Sequence, residues 1–392
     1  MTNEVQQNNI SGESVAKSES VSDAGSTNTE KVKQATGKQL VAIIFILALA
    51  TKMFLLPIFL IQSTGRDAYI IVAVFCAFEL VLLGMILVAV RKAETDFFEL
   101  VSSVLGKVGA KIAIGIIGLM LFLKLNISVA EILSFYGSNV FTDFAPSVMI
   151  IILLVFLAAV GMHTLRALCR LNELIVPIIV FCLLFLIVIV VMTGFDLANI
   201  FPAVRQTDAF SHGIVHYATW VGDFTPLVLF IGRTKTKKRT AVFAASAGVI
   251  GSAVAVFFAL VLSAAFGNIP SLVDNTTNLS NILQFTVGNV YGRLDMLSSV
   301  LWSVSVFIQA GLLFYCVCRC ISFVTGKSAH AVISLCLCVV VYVVQFFAFV
   351  DPTVFSAVVT SLACSVFVPT VALFSAVLAL VCALLFKRRS NR

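Results

Sequence analysis

The chain has 392 residues, of which 60% are hydrophobic and 11% charged, with a mean hydropathy of +1.09. These proportions exclude a soluble globular protein and fit a polytopic, all-α membrane protein. The formal net charge of +7 does not point to nucleic acid, because the basic residues collect in alternate short connections, as topology signals do.

Residues 1–36 are rich in Ser, Asn, Gln, Thr, Glu and Lys and carry too little apolar area to offset chain entropy, so they are expected to form a disordered cytoplasmic tail. This tail lacks the charged-then-apolar layout of a cleavable signal peptide, and the first span is expected to stay. Ten apolar stretches follow, near 39–61, 68–90, 109–138, 146–165, 172–194, 211–232, 240–266, 294–322, 329–349 and 353–386. Each is long enough to cross a bilayer with some tilt. The expectation is a membrane domain of ten transmembrane helices over 37–387, closed by a basic cytoplasmic tail, 388–392. Arg91, Lys92, Lys107, Lys111, Arg166, Arg170, Arg233, Lys235, Lys237, Lys238, Arg239, Arg319, Lys327 and the C-terminal basic residues fall on one side. Arg66, Arg205 and Arg293 fall on the other. By the positive-inside rule, both ends are cytoplasmic.

The first stretch contains LALATKMFLLPIFL, where Pro57 lies beyond the intramembrane cation Lys52. Proline has no N–H and its ring clashes with the carbonyl four residues back, so Pro57 is expected to free the carbonyl of Met53. The sixth stretch, Ser211–Gly232, repeats the device: Pro226 is expected to free the carbonyl of Gly222, beside the acid Asp223. In hydrocarbon a freed carbonyl or a lone carboxylate is tolerated only against protein or a water-filled cavity. Two broken spans at corresponding places in two halves mark a solute site of the secondary-transporter kind. The plainer alternative is that both prolines only kink packed helices.

The connection from Glu94 to Gly106 has apolar residues at helical spacing and is expected to lie along the cytoplasmic surface as an amphipathic helix. Lys52, Glu79, Lys124, Glu131 and Asp223 are the ionisable residues deepest in apolar sequence, and charges at that depth are functional by default and normally paired. Lys124 and Glu131 are two helical turns apart, on one face of the third span with Ser128, and with Asn126 nearby. If the two breaks meet, Lys52 and Asp223 pair directly or through water. Glu79, Lys124 and Glu131 are candidates for a proton or charge relay. Asp208, His212 and His216 recur every four residues at the outer end of the sixth span and read as a wetted vestibule rather than a zinc site, which needs a further ligand.

The ten cysteines lie almost wholly in apolar runs, where Cys acts as a small hydrophobe, so no disulfide framework or redox function is expected. Cys316, Cys318 and Cys320 point about 200° apart in succession on a helix and cannot converge on one metal. No phosphate-binding loop, zinc-protease helix or nucleophile elbow is present, so no enzyme, cofactor or metal is expected.

Several segments together carry a family resemblance: RLNELIVP from Arg170 to Pro177, GFDLANIFP from Gly194 to Pro202, the Gly222-Asp223 pair, the basic loop before the seventh span, RLDMLSSVLW from Arg293 to Trp302, and Glu131 upstream of Pro146. The chain resembles the permease-like subunits of bacterial spore germinant receptors, a branch of the amino acid–polyamine–organocation transporter superfamily, over about Thr36 to Lys387. The resemblance implies a 5+5 inverted repeat with broken first and sixth helices and a pocket between spans one, three, six and eight. It implies recognition of an amino acid or similar nutrient in the spore's inner membrane, beside a second membrane subunit and a lipid-anchored one. The solute-binding residues expected on this basis are Thr51, Lys52, Met53, Trp220, Gly222 and Asp223. Where the family usually has Gly-x-Gly before the first break, this chain has Ala50-Thr51-Lys52-Met53, so its backbone is less open to a carboxylate and Lys52 brings a positive charge of its own. The function expected is a nutrient-binding receptor subunit that triggers germination. The alternatives are a proton-coupled amino acid permease and a scaffold whose site is plugged by a Lys52–Asp223 pair.

Overall fold

A computed structural model describes residues 35–53, 55–93, 95–139, 145–163, 165–193, 201, 207–234, 236–266, 294–327, 330–349 and 351–390. The expected disordered tail up to residue 34, most of the 194–202 stretch and residues 267–293 lie outside these residues, and so do the side chains of 294–299.

Among the described residues, regular structure is helical apart from one isolated bridge between Ala35 and Thr234. Helix α1, Gly37–Leu49, opens with a capping box in which Thr36 and Gln39 satisfy each other's backbone amides. It stops at Ala50–Met53, and α2, Leu55–Thr64, resumes the span. Pro57 sits in the first turn of α2, where its missing N–H would have had no helical partner. The chain then runs through α3 (Ala68–Lys92) and α4 (Phe97–Asn139). The connection read as an amphipathic surface helix is the first part of α4. It ends at Gly106, whose φ of 73° and ψ of 172° bend the chain before the long apolar run. Phe97, Phe98, Leu100 and Val101 in that segment are buried against the protein.

Helices α5 (Pro146–Met162) and α6 (Leu165–Thr193) follow, then the second interrupted span. Its first part is α7, Thr207–His216; its second part is 3-10 helix, first Ala218–Trp220 and then Thr225–Phe230, with extended backbone at Val221 and a positive φ at Gly222 between them. The remainder is α8 (Lys238–Phe266), α9 (Leu294–Thr325), α10 (His330–Val344) continued by a π turn at Gln345–Phe349, α11 (Pro352–Val359) and α12 (Leu362–Ser390).

Seven helical segments among the described residues are long and apolar enough to cross a membrane, and the shorter apolar helices Gly37–Leu49, Pro146–Met162 and Ala218–Phe230 accompany them. Large apolar side chains such as Phe181 and Phe347 are 73% and 80% exposed, an outward face that lipid solvates and water does not. The protein is a multi-pass membrane protein. The chain is deeply buried around the two breaks: from α1 to the turn, Leu40 and Ile43–Met53 are all below a tenth exposed, and so are Thr219–Phe230.

Candidate functional site

The two breaks meet. Lys52, in the turn after α1, forms a direct ion pair with Asp223, in the turn after Val221-Gly222. Its Nζ also lies 2.9 Å from Glu79 Oε2 on α3, and Lys124 Nζ on α4 lies 2.7 Å from Asp223 Oδ1. Thr51 Oγ1 donates to Asp223 Oδ2 at 2.7 Å and Gln309 Nε2 on α9 donates to Oδ1 at 3.1 Å. A carboxylate offers about four acceptor positions. Asp223 therefore has each of them met by this chain's own donors.

The backbone of the sixth-span break is capped in both senses. Glu79 Oε1 accepts from the amides of Gly222 at 2.7 Å and Asp223 at 3.0 Å, while Lys124 Nζ donates to the carbonyls of Trp220 at 3.3 Å and Val221 at 3.2 Å. These amides and carbonyls are what an interrupted helix leaves bare, and each unmet one in an apolar interior costs several kcal/mol. The expected effect of Pro226 takes a different form. The carbonyl of Gly222 is not left free, because the chain tightens into a 3-10 turn in which the Thr225 amide donates to it at 3.1 Å. Only glycine fits at 222: its φ is +94°, and a Cβ there would stand 3.1 Å from Ala372 Cβ.

Lys52 and Lys124 balance Glu79 and Asp223, so this cluster is neutral, as a low-dielectric interior requires. Trp220 is buried beside it, its ring 5.9 Å from that of Phe59 and its Nε1 without a hydrogen-bond partner. Met53 is buried in the first break. Thr219 Oγ1 lies 3.0 Å from Ser365 Oγ, which in turn donates to the carbonyl of His216 at 2.6 Å and ties the α7 side of the break to α12.

The structure thus joins Thr51, Lys52, Glu79, Lys124, Gly222 and Asp223 in one cluster and keeps Glu131 apart. The expected face shared by Lys124 and Glu131 exists, but a long side chain on a helix leans toward the N-terminus, so Lys124 reaches away from Glu131 toward the break. Both Glu131 carboxylate oxygens are buried without a partner. Asn126 is engaged elsewhere, by Gln345 Nε2 at 3.2 Å from its Oδ1. On α7, His212 and His216 stack with ring centroids 4.1 Å apart and His216 Nδ1 lies 2.9 Å from the Thr360 carbonyl. Among the described residues no group of three or more His, Cys, Asp or Glu is placed to hold a metal ion. Gln309 was not singled out from sequence, although a lone amide in the apolar run WSVSVFIQAG is the same kind of signal as an intramembrane charge.

A second polar contact lies at the far end of the broken span. Arg233 Nε and Nη2 grip Asp96 at 2.8 and 3.1 Å, Nη1 reaches Tyr315 Oη at 3.3 Å, and the Arg233 carbonyl accepts from the Ala35 amide at 3.0 Å. The connection before α4, the broken span, α9 and the start of the helical body are thereby tied together.

The sequence matches the family model for spore germination protein (spore permease) over residues 34–352. The chain belongs to the spore germination protein family. No curated protein sequence matches it at a significant level. Among solved structures, the spore germination protein is similar to the transporter MhsT in complex with L-phenylalanine, with 11% identity, 86% of this chain and 87% of that one covered, and a TM-score of 0.65. It is also similar to Mhp1, a nucleobase-cation-symport-1 family transporter in a closed conformation with bromovinylhydantoin bound, with 14% identity, 86% and 76% covered, and a TM-score of 0.60. A manganese transporter of Eremococcus coleocola follows, with 11% identity, 89% and 85% covered, and a TM-score of 0.55. At these identities the likeness is one of fold. The chain has a transporter-like fold.

Proposed function

We propose that this spore germination protein is the nutrient-binding membrane subunit of a germinant receptor, built of ten transmembrane helices in a 5+5 inverted repeat with both ends cytoplasmic. It acts beside other receptor subunits in the spore's inner membrane. Its ligand is a small zwitterion such as an amino acid, bound where the two breaks meet. One observation carries this reading: the breaks hold a carboxylate on bare amides (Glu79 on Gly222 and Asp223) and ammonium groups on a carboxylate (Lys52 and Lys124 on Asp223). Those are the two groups an amino acid brings. A zwitterion exchanges for them like for like, with no net charge carried into the apolar interior, so exchange avoids the cost of burying an uncompensated ion. Binding at the breaks changes the contacts between α1, α3, α4 and the sixth span, and a ligand with different affinity for two such arrangements shifts their populations. L-phenylalanine bound to MhsT is in line with this ligand class.

The saturation of Asp223 also favours a second reading, in which Lys52 plugs the site and the chain is a scaffold of the receptor. A thermal-shift screen of the purified chain against the common amino acids separates the two, run on wild type, Asp223→Asn and Lys52→Gly. A receptor subunit is stabilised by at least one amino acid, and the response is lost in Asp223→Asn. A flat wild-type screen with a response in Lys52→Gly replaces this reading with the scaffold. Proton-dependent uptake of the stabilising amino acid into proteoliposomes would make the protein a proton-coupled permease.

A further inference from the structure

Beyond the cluster at the breaks, the described residues include a buried ionic group that is left over. Glu131 is 0% exposed and neither of its oxygens has a hydrogen-bond partner. Ser128, three residues earlier and so on the same side of α4, is 1% exposed, and its Oγ is likewise unpartnered. A helical serine ordinarily bonds back to the carbonyl one turn earlier; this one does not.

The surroundings are pinned at two levels. Lys124 on α4 and Gln309 on α9 share Asp223 Oδ1. Phe135 on α4 packs its ring 4.9 Å from that of Trp302 on α9. Numbers rise along one helix as they fall along the other, so the two run antiparallel, and Glu131 lies between the two levels. On α9, in the same interval, Ser303 Oγ, the Oε1 of Gln309 and the indole Nε1 of Trp302 are also buried without partners. Apart from that indole N–H the spare atoms are oxygens, the donor type that suits hard monovalent cations and ammonium groups rather than transition metals.

Charge decides the valence. Lys52 and Lys124 are fully balanced by Glu79 and Asp223, so ionised Glu131 leaves one negative charge that a single positive charge cancels and a divalent ion would overshoot. Removing an unbalanced charge from a low-dielectric interior is worth several kcal/mol.

We infer that Glu131, with Ser128, forms a monovalent-cation site between α4 and α9, separate from the cluster at the breaks. The cation is either a free alkali ion or the ammonium group of a small solute. Its occupancy neutralises the α4–α9 interface next to Lys124 and Gln309, which hold Asp223, and so couples cation concentration to the state of the breaks.

The test is thermal unfolding of the full chain in detergent in choline chloride, with stepwise replacement by sodium, potassium or methylammonium chloride at constant ionic strength. Wild type is expected to be stabilised by at least one of the small cations over choline. The half-saturating concentration is expected to rise at least about tenfold in Glu131→Gln, a loss of about 1.4 kcal/mol of binding, and by less in Ser128→Ala. A response to sodium or potassium assigns a free alkali ion, and a response to methylammonium alone assigns a solute ammonium. Glu131→Gln removes a buried charge and keeps the shape, so it should melt in choline no lower than wild type. Were it not to fold, the wild-type titrations and Ser128→Ala still decide. No small cation exceeding choline in wild type, or equal responses in wild type and Glu131→Gln, overturns the inference. The test uses no amino acid, so its outcome is independent of whether the breaks bind one.

Discussion

Lys52 and Asp223, 171 residues apart in sequence, form a direct ion pair where two interrupted spans meet. Each lies at a place where helical hydrogen bonding stops, so the pair does more than bring opposite charges together. It ties the two breaks to each other, while Glu79 and Lys124 cap the backbone groups beside it.

Asp223→Asn leaves two ammonium groups facing a neutral amide. Breaking a buried pair by removing one partner typically costs about 3–5 kcal/mol, and a loss of that order is expected in reversible unfolding in micelles. The double variant Lys52→Met/Asp223→Asn restores neutrality, with Lys124 against Glu79, and should be less destabilised than the sum of the single variants. Additive losses would show that the two residues do not act as a pair.

Glu79→Leu removes the acceptor of two buried amides, each worth about 1–3 kcal/mol when left unmet. Glu79→Gln keeps a carbonyl oxygen for them. Hydrogen exchange at Gly222 and Asp223 should therefore accelerate strongly in the leucine variant and much less in the glutamine one. Equal rates in the two would mean that Glu79 does not hold these amides.

Gly222→Ala places a side chain on a left-handed backbone, at about 1–2 kcal/mol, and presses its Cβ to 3.1 Å from that of Ala372. Adding Ala372→Gly should recover the packing part of the loss and leave the backbone part. Full recovery would mean that the conformation at 222 is unstrained.

The second break was legible from local chemistry, with Gly222, Asp223 and Pro226 close together in an apolar run, and the first from Lys52 ahead of Pro57. Lys52, Glu79, Lys124 and Asp223 stood out as charges deep in apolar sequence, while Thr51 was expected only from the family resemblance. What each one touches was not legible. Sequence spacing puts Lys124 and Glu131 on one face, but the lean of the lysine and the position of the sixth span decide that it serves Asp223. Likewise the carbonyl of Gly222 finds the Thr225 amide by tightening to 3-10 geometry, an adjustment that depends on how α12 and α3 crowd the turn. Gln309 and the grip of Arg233 on Asp96 depend wholly on tertiary approach.

Arg233→Lys keeps the charge but loses the two-pronged grip on Asp96. Hydrogen bonds between charged groups contribute about 1.5–3 kcal/mol where well buried, and the partial exposure of Asp96 places this one at the low end. Arg233→Lys and Asp96→Asn are expected to lower the melting temperature by similar amounts, with little added by combining them. Independent, additive losses would show that the contact contributes nothing of its own.

The most direct measurement is hydrogen exchange of the wild-type chain with and without the amino acid that stabilises it most. A zwitterion that exchanges for the internal partners must change protection at Thr51–Met53 and at Trp220–Asp223 together, because both breaks contribute to one site. Protection that changes only elsewhere, or no change with any amino acid, would contradict a nutrient site at the meeting of the breaks.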